Sequence, residues 1–343
     1  MSNYLSYVKK CFDMILLALA FALISCASTS ETAPDWVANY RTIYPDSEYI
    51  VQRGRADTEE TSRTEAIAQI ARYFQTSVNA NLKTSIQSVS SGQNVDETTT
   101  VVNDVDVMSQ VDLFAVEYTD PYYNKKEKKW YCVAYINREN AWVQYKPTVE
   151  GAKSEFYAMC RNAEKESDSF SKCTAYGKAW KSGVKFLEKL EYARILNSKK
   201  EAAYSGDRTA VSEIPSLISQ EQQNCRIFLS VNGDYGNIIT SAVTETFSKN
   251  GFMISKSAGG TNYTAQVFVD SNAQGSDPVS IFPSLDLKIS SKEGRTVFSN
   301  QTKIQSKTVA YTLENAQKKA FPILADEADK SISEQLSKLF AYK

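Results

Sequence analysis

The sequence predicts an α+β protein with two domains, each with helices packed on an antiparallel or mixed sheet, joined by a helical segment. Apolar residues recur every three to four positions from Ile67 to Val89, as in an amphipathic helix. They alternate with polar residues from Val105 to Ala115, as in a half-buried strand. The predicted divisions are an N-terminal leader over 1–25, a tether over 26–33, a first domain over 34–146, a helical segment over 147–224 and a second domain over 225–343.

The composition excludes several function classes. The 343 residues include 39 Lys and Arg against 40 Asp and Glu, a net charge of −1, so the chain lacks the basic balance typical of nucleic-acid binding. The count of histidine is 0, which excludes His-ligated zinc, Ser-His-Asp and Cys-His catalysis and a histidine general base. Aromatic residues make up 11%, which indicates a folded protein.

The first 25 residues have the pattern of a lipoprotein signal peptide. Lys9 and Lys10 precede an unbroken apolar run, Met14–Ile24, which is shorter than the roughly 20 residues of a membrane span. The run ends in the letters LISC, which resemble the bacterial lipobox. That resemblance implies cleavage between Ser25 and Cys26, a diacylglycerol on the Cys26 sulfur and acylation of its amino group. The alternatives are an ordinary signal peptide with a chance cysteine, or a core helix.

The predicted anchor fixes where the folded part lies. Three acyl chains give a stable membrane attachment. The tether from Ala27 to Ala33 reaches at most about 25 Å, so the first domain is expected close to the membrane. In the enteric sorting rule, an Asp after the cysteine retains a lipoprotein in the inner membrane. Here Ala27 and Ser28 follow the cysteine instead. We therefore expect a location in the outer membrane, facing the periplasm.

Four cysteines remain in the predicted mature domains. Cys160 and Cys173 lie symmetrically about a polar break at Glu164–Ser169, which predicts a disulfide if the break joins two antiparallel helices. The alternative is a pair of buried free thiols. Cys132 with Cys225 is a weaker pairing. The sequence has no CxxC pair, so zinc binding and thioredoxin-like chemistry have no support.

The first domain is predicted from a strand, a long helix and a hairpin. Asp57 with Glu60 forms a predicted capping box before the helix. A strand is predicted over Tyr49–Gly54, the helix stripe over Ile67–Val89 and a polar loop over Ser90–Thr100. A second strand is predicted over Val105–Ala115, a turn over Asn124–Lys129 and a return strand over Trp130–Ile136.

Four stretches in this domain, PDWV, YIVQRGRA, EAIAQIARYFQTSV and WYCVAYINREN, resemble the Lpp-twenty lipoprotein family of bacterial envelopes. The likeness covers residues 34–146. The family includes small outer-membrane lipoproteins and the N-terminal module of flagellar T-ring proteins, so the resemblance implies an envelope module without catalytic residues. The long, hydroxyl-rich loop Ser90–Thr100 and the helices after residue 146 depart from the family pattern.

Residues 147–224 are predicted to form a helical hairpin or spacer. Apolar stripes with helical spacing run over 152–163 and 170–190. A third helix is expected over 208–223, interrupted at Pro215. A row of lysines is interpreted as a solvated helix face, with an interaction arm as the alternative: Lys178, Lys181, Lys185 and Lys189.

The second domain is predicted to have the order βαββββα. Gly251 is expected to end the first helix, and Thr312 to cap a final helix that bends at Pro322. The stretches LSVNGDYGNIITSAVTETFSKNGFMI and SLDLKISSKEGRTVFSN are similar to the group formed by the TolB N-terminal domain, curli-secretion lipoproteins and penicillin-binding-protein activators. This likeness implies a fold and assigns no functional residue.

No residue is assigned a catalytic role, and we expect no enzyme activity, cofactor or metal. The turn Gly233–Gly236 lacks the Lys and Ser or Thr of a phosphate-binding loop, so nucleotide binding is not expected. Three carboxylates on one predicted strand face are candidates for Ca²⁺ binding: Asp104, Asp106 and Asp112. They lack the turn glycine and final glutamate of an EF-hand, so a solvated strand face is favoured. Aromatic residues near the hairpin turn are interpreted as an edge hairpin, with a glycan or partner contact as the alternative: Tyr118, Tyr122, Tyr123, Trp130 and Tyr131.

Together these features predict a lipid-anchored envelope protein with a structural or assembly role in a periplasmic or outer-membrane complex. The resemblance to T-ring proteins implies a flagellar-ring-like component. The alternatives are an activator that docks on a peptidoglycan synthase and a surface-exposed binding lipoprotein. The expected partners are the membrane, through Cys26, and envelope proteins, and homo-oligomerisation stays open.

Overall fold

The structure is a computed structural model that describes residues 33–90 and 115–340, and it confirms the α+β class. The predicted signal peptide, Ser25, Cys26, nearly all of the tether and the predicted strand up to residue 114 lie outside the described residues. The three carboxylates Asp104, Asp106 and Asp112 lie outside them as well.

A small antiparallel sheet forms the first part of the chain. Its elements, in order, are α1 Asp35–Ile43, β1 Tyr49–Ala56, α2 Glu59–Ser90, β2 Val116–Tyr118, β3 Tyr122–Asn124 and β4 Lys129–Asn137. The central strand is β4, which pairs antiparallel with β1 on one edge and with β2 and β3 on the other. Helix α2 packs on one face of this sheet through its predicted stripe: Ile70, Phe74, Val78, Leu82 and Ile86 are buried.

Two local details differ from the predictions. The cap of α2 is Thr58, whose hydroxyl oxygen accepts a hydrogen bond from Thr61 N at 3.2 Å, so the Asp57 capping box is wrong. Asp57 instead forms an ion pair with Lys129 of the hairpin. Helix α1 has no counterpart among the predicted elements, because it is short and none of its residues is buried, so it has no apolar stripe.

Three consecutive helices form the middle of the chain. They are α3 Arg138–Lys165, α4 Ser169–Glu201 and α5 Ser205–Asn224, with a 3₁₀ turn at Ala202–Tyr204. The predicted boundary at 146–147 lies inside α3, which begins directly after β4. Helix α5 continues through Pro215 without interruption, because Val211, Ile214 and Ile218 bury one side of it. The predicted lysine row is solvated: Lys178, Lys181 and Lys185 are exposed, and Lys189 is half-buried.

The last part of the chain adds a second sheet. Its elements are β5 Arg226–Asn232, α6 Ile238–Lys249, β6 Met253–Ser255, β7 Tyr263–Asp270, β8 Val279–Ile281, β9 Ser284–Ser291, β10 Thr296–Lys303, β11 Thr308–Ala310 and α7 Leu313–Phe340. The strand order is β10-β9-β7-β5-β6, with β5 parallel to β6 and β7 and the other pairs antiparallel. Strands β8 and β11 form a separate ribbon that the predicted order lacks.

The ends of the helices in this part follow the sequence signals. Gly251 has a φ of 84° after α6, and Phe252 N donates to Phe247 O at 3.0 Å, which is the expected C-terminal cap. Asn315 N donates to the Thr312 hydroxyl at 3.2 Å, which confirms the cap of α7. Helix α7 continues past Pro322 as one element.

One buried cluster connects the three parts of the chain. It extends from Ile50 in β1 to Phe340 at the end of α7. Phe170, the second residue of α4, stacks on Phe252 with ring centroids 5.6 Å apart and contacts Phe340 at 5.9 Å. The helical segment is therefore packed into the core of the second sheet.

Replacing Gly54 with alanine is expected to destabilise the protein by about 3 kcal/mol. A Cβ at this position would overlap Ser62 O and lie 2.6 Å from Ala66 N, both in the backbone of α2. The measurement is urea unfolding of the protein without residues 1–26. Gly151→Ala is the matched control, since its new Cβ would meet no neighbouring atom within 4 Å and a mid-helix alanine gains about 0.5–1 kcal/mol. Similar unfolding free energies for both variants would contradict the prediction.

Alkaline pH is expected to destabilise the helical segment. Burial, with the hydrogen bond to Asp207, raises the pKa of Tyr157 to about 12, and burial raises the pKa of Tyr192 to about 12. Because the folded state favours the neutral phenols, their contribution is complete below the ordinary pKa of about 10 and is lost as the pH rises through 12. The measurement is unfolding free energy against pH, with tyrosinate absorbance followed in parallel. Tyr157→Phe is expected to flatten this decline, and an equally steep decline in that variant would contradict the assignment.

Candidate functional site

The predicted Cys160–Cys173 disulfide is not formed in this structure. The four described cysteines, Cys132, Cys160, Cys173 and Cys225, are free thiols. The physical reason is the direction of Cys173, which is fully buried and donates from Sγ to Ile218 O of α5 at 3.6 Å. Cys160 lies half-buried on α3 near Glu164 of the same helix.

In the turn between β5 and α6, the carboxylate of Asp234 occupies the N-terminus of the helix. Asp234 accepts hydrogen bonds from Ile239 N at 3.1 Å and from Thr240 N at 2.9 Å, so its carboxylate lies where a phosphate would bind a helix N-terminus. Gly233 has a φ of 80°, and a Cβ there would overlap Val269 O. Glycine is favoured at position 233 because its φ is positive and the backbone of Val269 approaches it closely.

Within the described ranges 33–90 and 115–340, no group of three or more Cys, Asp or Glu side chains is arranged to hold a metal ion. In the same ranges, every helix is too short or too polar to span a membrane.

The most distinctive surface is the outer face of the first sheet, opposite α2. We call it the tyrosine–arginine face and define it by Tyr40, Tyr44, Tyr49, Arg53, Arg55, Tyr131 and Tyr135. It follows from strand alternation: Gly54 points at α2, so its neighbours Arg53 and Arg55 point away from it. In the β1–β4 register, Arg53 pairs with Val133 and Arg55 with Tyr131.

Arg53 holds helix α1 against this face. Its Nη1 donates to Val37 O at 2.6 Å. Its guanidinium carbon lies 5.5 Å from the centroid of the Tyr40 ring and 5.3 Å from that of the Tyr131 ring. A guanidinium between two aromatic rings is favourable because the ring faces carry negative potential. The result is a cation fixed in position on an aromatic surface.

Arg55 is fixed by the hairpin turn. Its Nη2 lies 2.9 Å from Glu127 Oε2, and the Tyr131 hydroxyl donates to the same oxygen at 2.5 Å. The hydrogen bond from Tyr131 lowers the pKa of Glu127, so this carboxylate stays charged. Asn124 Oδ1 accepts from Lys126 N and Glu127 N, both at 3.1 Å, and so sets the turn that places Glu127. About half of the Arg55 side chain, 54%, stays exposed.

Three tyrosines complete the face beside the arginines. The rings of Tyr44 and Tyr135 stack with centroids 4.2 Å apart, and Tyr49 contacts Tyr44 edge-on at 5.4 Å. The Tyr135 hydroxyl donates to Glu117 Oε2 at 3.1 Å. Tyrosine and arginine are enriched at the centres of protein interfaces, because both present large contact area and directional hydrogen bonds. The face therefore presents guanidinium groups and phenol rings of the kind found in protein interfaces.

The predicted hairpin aromatics are brought together only in part. Tyr122 pairs with Tyr131 on the tyrosine–arginine face. Tyr123 pairs with Trp130 on the other side of the hairpin, with ring centroids 5.3 Å apart. Tyr118 lies apart from them, opposite Ala134. Sequence reasoning missed the arginines of the face; the available signal was the period-two spacing of Arg53 and Arg55 about a glycine.

Comparison with known proteins gives structural likeness only. No protein-family model matches the chain, and no curated protein matches it. A secreted protein of Helicobacter pylori is similar over 86% of this chain and 99% of its own, at 13% identity and a TM-score of 0.37. A minor lipoprotein of Acinetobacter baumannii covers 33% of this chain and 93% of its own, at 16% identity and a TM-score of 0.25.

A Caulobacter crescentus protein described as a lipoprotein covers 34% of this chain and 92% of its own, at 14% identity and a TM-score of 0.24. These TM-scores are too low to assign a fold family or a function to the chain. The resemblances to the Lpp-twenty and TolB-related groups therefore stay predictions.

Proposed function

We propose that the protein is a non-enzymatic, lipid-anchored component of the bacterial envelope that holds a partner protein of a larger assembly, such as a flagellar ring, on its tyrosine–arginine face. The supporting observation is the short connection between Cys26 and this face. Helix α1 begins at Asp35 and is fixed to the face by Arg53, and the tether 27–33 reaches only about 25 Å. A partner on the face would thus be bound next to the membrane.

A second candidate is docking on a peptidoglycan synthase through the last part of the chain. Its support is an exposed apolar corner between β11 and α7. The Tyr311 side chain is 83% exposed, and Val309 and Leu313 are 41% and 42% exposed. Adjacent exposed apolar side chains of this kind are typical of protein contacts.

Reversing the charge of the face tests the first candidate. The double variant Arg53→Glu and Arg55→Glu is expected to capture at least tenfold less of the partner when the protein is crosslinked and purified from envelopes. The reason is that the two cations are replaced by carboxylates, which repel the carboxylates of the partner. Partners are identified by mass spectrometry. Loss of motility together with loss of basal-body proteins would support a flagellar-ring role.

The matched control is Arg63→Glu with Arg72→Glu. Both arginines are exposed on α2 of the same domain and form surface ion pairs, so the change in net charge is equal and the tyrosine–arginine face is intact. Unchanged capture in the Arg53/Arg55 double variant would contradict the first candidate. If a peptidoglycan synthase is captured by the other variants but not by Tyr311→Asp, the second candidate is favoured.

A further inference from the structure

Cys173 and Cys225 meet at the junction between the helical segment and the second sheet. Cys173 lies near the start of α4, and Cys225 is the residue between α5 and β5. Both side chains are 0% exposed. Cys173 Sγ contacts Ile218 O of α5 at 3.6 Å, and the Cys225 thiol at the end of the same helix lies near enough to raise the pKa of Cys173. The two cysteines, far apart in the sequence, thus lie close together at this junction.

The backbone around both residues is fixed. Cys225 N donates to Gln222 O at 3.0 Å, and its own carbonyl accepts from Met253 N at 3.3 Å. On the other side, the Tyr263 hydroxyl accepts from Phe170 N at 2.9 Å and donates to Asp168 Oδ1 at 3.0 Å. The first turn of α4 is therefore tied to β7, and Cys225 to β6.

The other two described cysteines have different surroundings. The Cys132 thiol donates to Thr119 O at 3.5 Å within the first sheet. Cys160 lies half-buried on α3 near Glu164. The nearby Cys225 thiol and burial raise the pKa of Cys173, so this thiol is unreactive in the folded protein unless the bond forms during folding.

We propose that Cys173 and Cys225 form a disulfide when the protein folds outside the cytoplasm. Each thiol gives up its hydrogen, the two sulfurs join, and the electron pair reduces the disulfide of an exchange catalyst or of oxidised glutathione to two thiols. The bond closes a loop that contains α4 and α5 and links it to the second sheet. The proposal rests on the envelope location, because disulfides persist in oxidising compartments.

Peptide mapping of the native lipoprotein tests the pairing. Free thiols are alkylated in denaturant without reductant, and the protein is digested with trypsin. The four cysteines fall in four different peptides: 130–138, 154–161, 173–178 and 209–226. We expect 173–178 linked to 209–226, with the Cys132 and Cys160 peptides alkylated. Alkylated Cys173 and Cys225, or a different link, would overturn the proposal.

Thermal melting gives a second readout. Reductant is expected to lower the Tm of the oxidised protein by about 5–10 °C, because the loop between the two cysteines is long. This difference is expected to vanish in Cys225→Ala and to persist in Cys160→Ala, the control for removing a cysteine that the bond does not use. A difference that persists in Cys225→Ala would overturn the proposal.

The same digest separates this proposal from the envelope location. A lipidated Cys26 with free Cys173 and Cys225 would overturn the disulfide and leave the anchoring intact. If Cys26 carries no lipid, the protein without residues 1–26 is refolded with oxidised and reduced glutathione. Formation of the linked peptides then supports the disulfide independently, and their absence overturns it.

Discussion

Replacing Cys26 with serine is expected to move essentially all of the protein from the membrane fraction to the soluble periplasmic fraction. Serine has no sulfur to accept diacylglycerol, and the three acyl chains contribute about 0.8 kcal/mol for each buried methylene group, so their loss removes the anchor. The measurement is fractionation of cells that express the variant, with the mass of the N-terminal peptide read from both fractions. The wild-type peptide is expected to begin at Cys26 and carry lipid.

The control for this experiment is Cys160→Ser, which removes a half-buried cysteine of the folded part and leaves the lipobox intact. It is expected to stay in the membrane fraction. If Cys26→Ser also stays there after a high-salt wash, the protein is held by its partners or by another segment, and the lipobox interpretation is wrong.

Replacing Arg208 with methionine is expected to destabilise the protein by about 3–5 kcal/mol. Arg208 lies on α5 and bridges two carboxylates of α4: its Nη1 is 2.7 Å from Glu191 Oε1, and its Nε is 2.6 Å from Glu201 Oε1. The Glu191 side chain is 0% exposed and that of Glu201 8%. Removing the shared cation leaves two buried carboxylates that are poorly compensated. The measurement is urea unfolding of the protein without residues 1–26.

Arg194→Met is the matched control, because Arg194 pairs with the same Glu191 at 3.1 Å but is 47% exposed. Solvent screens this second pair, so we expect a loss of less than about 1 kcal/mol. Adding Glu191→Leu and Glu201→Leu to Arg208→Met is expected to recover part of the stability, since the buried carboxylates that have lost Arg208 are removed. Equal losses in the two single variants would show that burial of the ion pairs is unimportant.

The sequence predicts the long elements of this fold well, because their signals are local. The stripe of α2, the glycine after α6 and the Thr312 cap of α7 each depend on residues within one or two turns of one another. Helix α1 escapes prediction because it has no buried apolar stripe, and its position depends on Arg53 of the neighbouring strand. The ribbon of β8 and β11 escapes it because each strand has only three residues.

The candidate site is harder to predict, because it depends on pairing between distant parts of the chain. The period-two spacing of Arg53 and Arg55 is visible in the sequence, but their partners Tyr131 and Glu127 are defined only by the β1–β4 register. The cysteines show the same limit. Symmetry about the break favours Cys160 as the partner of Cys173, whereas the third helix brings Cys225 to it.

Strand β4 continues directly into helix α3 without a loop, so the direction of the helix is set by the first sheet. Asn137 is both the last residue of the strand and the cap of the helix, where its side chain accepts from Asn140 N at 3.0 Å. A helix of 28 residues is about 42 Å long. A tilt of about 5° at the sheet would displace the far end of such a helix by about 4 Å. Because α3 follows β4 without a loop, a tilt of the first sheet would thus be carried along the helix to its far end at Lys165.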